Sequence, residues 1–247
     1  MSGHSHWATI KRAKSAVDAK KGKMFSKCAK DIMSAARTGG GDPDMNIRLR
    51  YAIEDARAVN MPKENIERAV LKGTGKLAGQ SLEEVVYEGY GPGGVAIIAE
   101  ALTDNRARTA PEIKKIFENA GSALASPGSV KWMFEKKGVI TVKREDIDED
   151  KLLELVLDNG GDDMRTFDSF YEITCEPSAF NRLREALEKS KITPVTAEVT
   201  NIAKQNVTPS VEEARKALRL MENLEDHDDV QTVSSNFDVP AELMTEN

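Results

Sequence analysis

VVYEGYGPGGVAIIAEAL, residues 85–102, is two β-rich runs joined by a turn of glycine and proline. Val85-Val86-Tyr87-Glu88 and Val95-Ala96-Ile97-Ile98-Ala99-Glu100-Ala101-Leu102 are apolar and rich in β-branched residues. Gly89-Tyr90-Gly91-Pro92-Gly93-Gly94 between them has the residues that tight turns need, so the stretch predicts a β-hairpin. The turn also matches G-x-G-x-x-G, but a dinucleotide site requires such a loop to open a helix whose N-terminus meets the pyrophosphate. Here a β-rich run follows. The loop therefore reads as a partner-contacting tip, with Tyr90, Gly91, Pro92 and Gly93 as its residues and the Tyr90 ring as its stacking face.

Outward from the hairpin, Thr109-Ala110-Pro111 starts a helix with Ile113, Ile116 and Phe117 apolar, ending at Gly121. That makes a ββα piece. Near the other end, Ser210 and Glu213 form a capping box for a helix over Ala214, Leu218, Met221 and Leu224, followed by a strand at 230–233. That αβ piece is incomplete alone, as is the first, and the two are expected to share one sheet. Between them, 130–134 and 139–142 read as a second hairpin about Lys136-Lys137-Gly138. A helix through Leu152, Leu153, Val156 and Leu157, strands at 164–167 and 170–175, a helix at 179–190 and a strand at 195–201 complete a ββαββαβ run.

Before the hairpin the texture is helical. Phe25, Cys28, Ile32 and Ala35 are helically spaced up to Gly39-Gly40-Gly41. Asp42-Pro43 reads as an N-cap with proline at the first helical position, for a helix lined by Leu49, Ala52, Ile53, Ala56 and Val59. Pro62 opens a third helix with Ile66, Ala69 and Val70 inward, closed by Gly73 and Gly75. The expected class is α+β: an N-terminal three-helix domain followed by two α/β, sandwich-like (ferredoxin-like) domains, one inserted in the other. Its parts are a basic helical domain at 1–76, a discontinuous α/β domain at 77–129 plus 206–247, and an inserted α/β domain at 130–205.

Charge divides along the same line. Residues 1–76 hold 16 Lys and Arg against 8 Asp and Glu, a charge of +8, although the whole chain carries −6. Lys11, Arg12, Lys14, Lys20, Lys21, Lys23, Lys27, Lys30 and Arg37 are opposed over 8–37 only by Asp18 and Asp31. Clustered Lys and Arg suit a phosphate backbone, and the field at a bound phosphate is set locally, because charges beyond about 10 Å are screened. The candidate nucleic-acid contacts are Lys11, Arg12, Lys14, Lys20, Lys21 and Lys23, with Arg48 and Arg50 on the second helix. Arg106 and Arg108, beside Asp104 and Asn105, suit either a phosphate or a local ion pair.

Other chemistries find little support. The two cysteines, Cys28 and Cys175, are far apart and in no paired motif, which fits a reducing, cytoplasmic setting without disulfide or zinc site. Asp146, Asp148 and Asp150 imitate a calcium loop, but Lys151 and Leu157 stand where it needs glycine and glutamate. These acids suit a helix N-terminus instead. Three histidines, two of them His4 and His6, make no metal set. No nucleophile with a base, no P-loop and no H-E-x-x-H is present, so no enzyme, cofactor or small-molecule substrate is expected. Lys137-Gly138-Val139-Ile140 opens like an RNA-recognition strand but lacks its stacking aromatics. The polar start of the chain and the lack of an apolar run of about 18 residues predict neither signal peptide nor membrane span.

Several blocks together resemble the YebC family of probable transcriptional regulatory proteins. They are Gly3-His4-Ser5-x-Trp7-Ala8, Gly39-Gly40-Gly41-Asp42-Pro43, Asn46-x-Arg48-Leu49-Arg50, Tyr87 to Gly94, Asp104-Asn105-Arg106 and Leu224-Glu225-Asp226-x-Asp228-Asp229-Val230-Gln231. His6 and Ala107 depart from it, standing where the family often has Lys and Asn. The resemblance implies the same three-domain plan, cytoplasmic DNA binding and regulation of transcription. Because the family also includes a mitochondrial translational activator and bacterial members associated with translation, it implies as an alternative a ribosome-associated factor binding RNA. It carries over no catalytic residue.

Overall fold

Apolar residues spaced three and four apart make Lys21–Gly39 a helix, α1, in a computed structural model that describes residues 21–77, 82–240 and 243. Helix α2, Ile47–Ala58, starts four residues after the expected Asp42-Pro43 cap. Asp42 instead accepts the Asp44 N–H in a local turn (3.0 Å), and Asn46 takes the N-cap by accepting from the Leu49 N–H (3.1 Å). Asn46 Nδ2 also donates to the carbonyls of Ala35 (2.9 Å) and Gly40 (2.8 Å), which ties α2 to the end of α1. Helix α3, Lys63–Gly73, follows Pro62. The three helices bury Ile32, Ala36, Leu49, Ile53, Ala56, Ile66 and Ala69 in one core.

The predicted hairpin is present. Strands β1, Glu83–Tyr90, and β2, Ala96–Thr103, pair antiparallel without a break from Glu83↔Thr103 to Tyr90↔Ala96. Helix α4, Arg106–Asn119, begins three residues earlier than expected, because the Asn105 side chain caps it by accepting from the Arg108 N–H (3.1 Å). Pro111 therefore lies inside the helix, where its missing N–H leaves one carbonyl of the preceding turn without its helical partner. The short β3, Ala123–Leu124, adds to the free edge of β1.

The second expected hairpin is absent. Lys131–Met133 is a single 3-10 turn, and Phe134–Lys143 is one continuous strand, β4, paired on both sides. Lys136-Lys137-Gly138 imitates a turn, but its lysines are matched by acids across the structure: Lys136 by Glu100 (2.9 Å), and Lys137 by Asp162 (2.9 Å) and Glu176. Gly138 serves close packing rather than a turn, since a Cβ there would lie 2.7 Å from both Cys175 Sγ and the Phe180 ring. Then come α5, Glu149–Asp158, capped by Asp148, and the strands β5, Gly161–Thr166, and β6, Phe170–Cys175. Helix α6, Phe180–Lys189, and strand β7, Thr196–Ala203, close this part. It is βαββαβ, not ββαββαβ, with sheet order β5-β6-β4-β7, the ferredoxin-like arrangement. Helices α5 and α6 pack on one face over Ile140, Val142, Leu152, Ile173, Leu183 and Leu187.

Helix α7, Val211–Glu225, has both bonds of the predicted capping box, and β8, Val230–Ser235, returns to the first sheet beside β2. That sheet has the order β3-β1-β2-β8 and buries Ile97, Ala99, Phe117, Leu220, Leu224 and Val233 beneath α4 and α7. Its other face meets the inserted ferredoxin-like part through Ala96, Ile98, Val130 and Phe134 and through the Thr200–Ser234 hydroxyl pair (3.2 Å). The fold is α+β, with a helical region followed by two α/β domains, one inserted in the other. Among the described residues, no helix is long and apolar enough to cross a membrane.

Candidate nucleic-acid interface

Of the arm residues, Lys11, Arg12, Lys14, Lys20 and the side chain of Lys21 lie outside what the structure describes. The described lysines of α1 point at the end of another helix. Lys23 Nζ donates to the Asp226 carbonyl (2.8 Å), Lys27 to the Glu225 carbonyl (2.6 Å), and Lys30 to the Asp228 carbonyl (2.9 Å). The last carbonyls of α7 have no partner within the helix and carry the negative end of its dipole. Lysines at helical spacing on α1 supply two donors to this end, from Lys23 and Lys27, and a third, from Lys30, to the loop just beyond it.

Asp229 lies at the centre of this contact, only 2% exposed. It accepts from Lys30 (2.5 Å), Arg108 (2.8 Å) and the hydroxyls of Thr109 (2.5 Å) and Thr103 (3.1 Å). Burial alone would push its carboxyl up, but the bonds from Lys30, Thr109 and Arg108 hold it far below the usual carboxylate range. Arg108 also pairs with Asp104 (3.1 Å), so of its two sequence readings the local ion pair is the one present. Arg37 donates to the Leu82 carbonyl. The described basic face of α1 is thus an intramolecular clamp onto α7 and the loop that follows it.

Arg48 and Arg50 face elsewhere. Arg48 lines a cavity of about 530 Å3 between the helical region and the two sheets, with Asp31, Asp55, Glu100, Lys136 and Arg184, whereas Lys23 lines a separate one of about 830 Å3. Asp31 keeps an exposed edge at the first cavity, yet crowding by its walls, and after Arg48's opposing effect the nearby Asp55, push its carboxyl up to about 6. Arg50 lies 5.2 Å from the centre of the Tyr51 ring, and Arg184 lies 4.1 Å from it while pairing with Asp55 (2.6 Å). This stack joins the helical region to α6.

The hairpin tip is held from below. Glu88, 3% exposed, accepts the backbone N–H groups of Gly128 (2.7 Å), Val130 (2.8 Å) and Lys131 (2.8 Å). Burial works against its charge, but these three bonds prevail and keep its carboxyl below the ordinary value. The loop 125–131 is thereby fixed against β1. Tyr90 donates its hydroxyl to the Ser129 carbonyl (3.2 Å), and Trp132 Nε1 donates to the same oxygen (3.0 Å). After Gly91, Pro92–Gly94 make a 3-10 turn in which Gly93 has φ +70, and a Cβ there would approach Pro209 to 2.9 Å. The candidate loop residues Tyr90, Gly91, Pro92 and Gly93 are together, and Trp132, read in the sequence as part of a strand, joins them.

Comparison with known proteins matches both parts of this architecture. The TACO1/YebC protein N-terminal domain matches residues 5–76, and the TACO1/YebC second and third domain matches residues 82–237. The chain belongs to the TACO1/YebC family. Among its TACO1/YebC relatives, a "Probable transcriptional regulatory protein" of Rhodopirellula baltica is 51% identical over 247 residues, covering 100% of each chain. Another of that description, from Dictyoglomus turgidum, is 50% identical over 245 residues, covering 99% of this chain and 98% of its own. The crystal structure of a conserved hypothetical protein from Aquifex aeolicus superposes with a TM-score of 0.87 at 42% identity, covering 98% of this chain and 100% of that one.

Proposed function

We propose that this TACO1/YebC protein is a non-enzymatic, cytoplasmic nucleic-acid-binding regulator of gene expression, with DNA and control of transcription as the first assignment. The observation that carries the reading is the +8 charge of residues 1–76 in a chain of −6. Lys23, Lys27 and Lys30 have partners in α7, so the phosphate contacts are assigned chiefly to Lys11, Arg12, Lys14, Lys20 and Lys21, with Lys23, Arg48 and Arg50 secondary. The names of the relatives, probable transcriptional regulatory proteins, support the same reading. A ribosome-associated translation factor binding RNA is the second reading. The exposed Tyr90 ring favours it, because unpaired bases are open to stacking where duplex bases are not.

Binding of duplex DNA and of single-stranded RNA to the full chain, measured against salt, tests both readings. If about four phosphates are neutralised on a duplex, the log-log slope is roughly −3.6, from about −0.9 per phosphate. Replacing Lys11, Arg12, Lys14, Lys20 and Lys21 with glutamine flattens the slope and weakens all sequences alike. An unchanged slope removes the arm as the nucleic-acid site. A preference for RNA at equal salt moves the assignment to the second reading.

A further inference from the structure

We propose that Tyr90 and Trp132 form a stacking platform for unpaired bases of a single-stranded nucleic acid, with Lys131 and Lys204 placed for the backbone phosphates. The proposal rests on the nucleic-acid reading above and gives it a second site, remote in sequence from the basic arm. Trp132 is 66% exposed and Tyr90 39% exposed, on a surface where most large apolar side chains are covered. Their polar edges meet at the Ser129 carbonyl oxygen, which leaves ring faces rather than hydrogen-bonding groups for a partner. Neither ring stacks on another aromatic ring among the described residues.

The platform is built before any ligand arrives. The buried Glu88 carboxylate fixes the backbone at 128, 130 and 131, the Met133 N–H donates to the Val130 carbonyl (2.9 Å), and Tyr90 pairs with Ala123 in the sheet. Rigid aromatics lose little freedom on binding, which is how preorganised sites gain affinity. Lys131 is exposed beside Trp132, and the exposed Lys204 is brought there by its N–H bond to the Met133 carbonyl (2.9 Å). Neither forms an ion pair among the described residues, and the nearby Glu135 is engaged by Lys137 (3.4 Å). The Glu88 carboxylate beneath the loop is buried and offsets one of these two charges, so the exposed groups beside the rings carry a small positive excess on an acidic chain. Proline-rich peptides also seek exposed tryptophan, but their grooves use the indole N–H as a donor to the peptide. Here that donor is already used, and stacking without hydrogen-bond readout is the mode that tolerates any base.

The test is anisotropy with the full chain and three labelled probes: an oligouridylate of about 12 nucleotides, within the length one such site covers, an abasic oligomer of the same length, and an oligoproline. Trp132→Ala is expected to weaken the oligouridylate about 5- to 150-fold, the worth of one stacked base. The abasic probe, which has the charge without the rings, is expected to be unaffected, and Trp132→Phe to restore most of the loss. The salt slope stays constant in both variants, and an unchanged melting temperature separates lost stacking from lost folding. Equal losses for both oligomers, or no loss for either, overturn the platform while leaving the arm's binding intact. Oligoproline binding abolished by Trp132→Ala, with the oligouridylate untouched, overturns it in favour of a peptide. If neither oligomer binds the unmodified chain while duplex DNA does, the platform is overturned and the duplex reading stands; if duplex DNA does not bind either, the nucleic-acid reading itself fails.

Discussion

Glu172 offers the sharpest test of the structure, because β6 places a carboxylate where nothing answers it. It is 1% exposed, and neither of its oxygens finds a hydrogen-bond partner among the described residues. Burial, opposed only in part by Arg165, raises its pKa from 4.5 to about 7. In the unfolded chain the group ionises near 4.5, whereas in the folded chain it holds its proton up to about 7. Its contribution to stability is thus fully present below about 4.5 and is lost as pH rises to about 7, after which the loss is constant. At about 1.36 kcal/mol per pKa unit, the whole effect is about 3 kcal/mol. Glu172→Gln removes the titration and keeps the shape. Urea unfolding of both proteins from pH 4 to pH 8 should give a stability difference that moves in the variant's favour by about 3 kcal/mol between the two ends. Any cost of the unpartnered amide is the same at every pH and shifts the curve without bending it. A difference that stays flat with pH would show that this carboxylate is hydrated or paired, and would refute the reasoning.

Asp229→Asn should destabilise the chain by about 3 kcal/mol, the lower end for breaking a buried pair because Arg108 remains half exposed, as read by denaturant midpoint. Since its pKa is depressed, the stability that Asp229 supplies is present above the ordinary carboxylate value and is lost only as pH falls well below it, which acid titration of the same variant checks. Glu88→Gln should loosen the loop 125–131, seen as faster amide exchange at Gly128, Val130 and Lys131, while β2 and β8 keep their protection. Limited proteolysis should cut first between 73 and 79, and the two pieces should travel together in dilute buffer and separate at about 1 M salt, where the screening length falls to about 3 Å. Protection of that joint, with cutting inside 130–205, would contradict the division into an N-terminal and a following part.

What could be read from the sequence was local. The hairpin over 85–102 and the capping box of Ser210 and Glu213 each carry their signal within a few residues, and both are present. Lys136-Lys137-Gly138 misled because polarity and glycine signal a turn only when nothing across the fold neutralises the lysines or packs on the glycine; Glu100, Glu176 and Phe180 do both. Asp42-Pro43 lost the cap to Asn46, whose side chain caps α2 and also donates to two carbonyls at the end of α1, a contact that no local pattern announces. In the candidate interface, the hairpin tip was legible through Tyr90, but Trp132 was hidden, since its exposure depends on a 3-10 turn between two sheets. The clamp was out of reach. Lys23 and Asp226 are 203 residues apart, and nothing in either neighbourhood marks the pairing, although the resemblance had singled out Asp228 and Asp229 without a role for them.

Insertion of one sheet into another sets an order of assembly. The Ala96 N–H meets the Asn236 side chain across 140 residues of chain, so at about 5–20 residues per second the edge of β2 emerges roughly 7 to 28 seconds before β8 can cover it. An uncovered edge strand with Ile97 and Ile98 is an aggregation hazard during that wait. The ferredoxin-like part, contiguous in sequence, has all four strands of its own sheet and the core beneath α5 and α6, and it is expected to fold in the interval. Once it has, Phe134 stands paired with Ala203, and its two ends are neighbours. The long excursion then behaves as a short bridge, and closing the outer sheet incurs the entropy of a small loop in place of a very large one. Variants that slow the inner sheet should therefore raise the aggregation yield of the whole chain during synthesis, even where its final stability is unchanged.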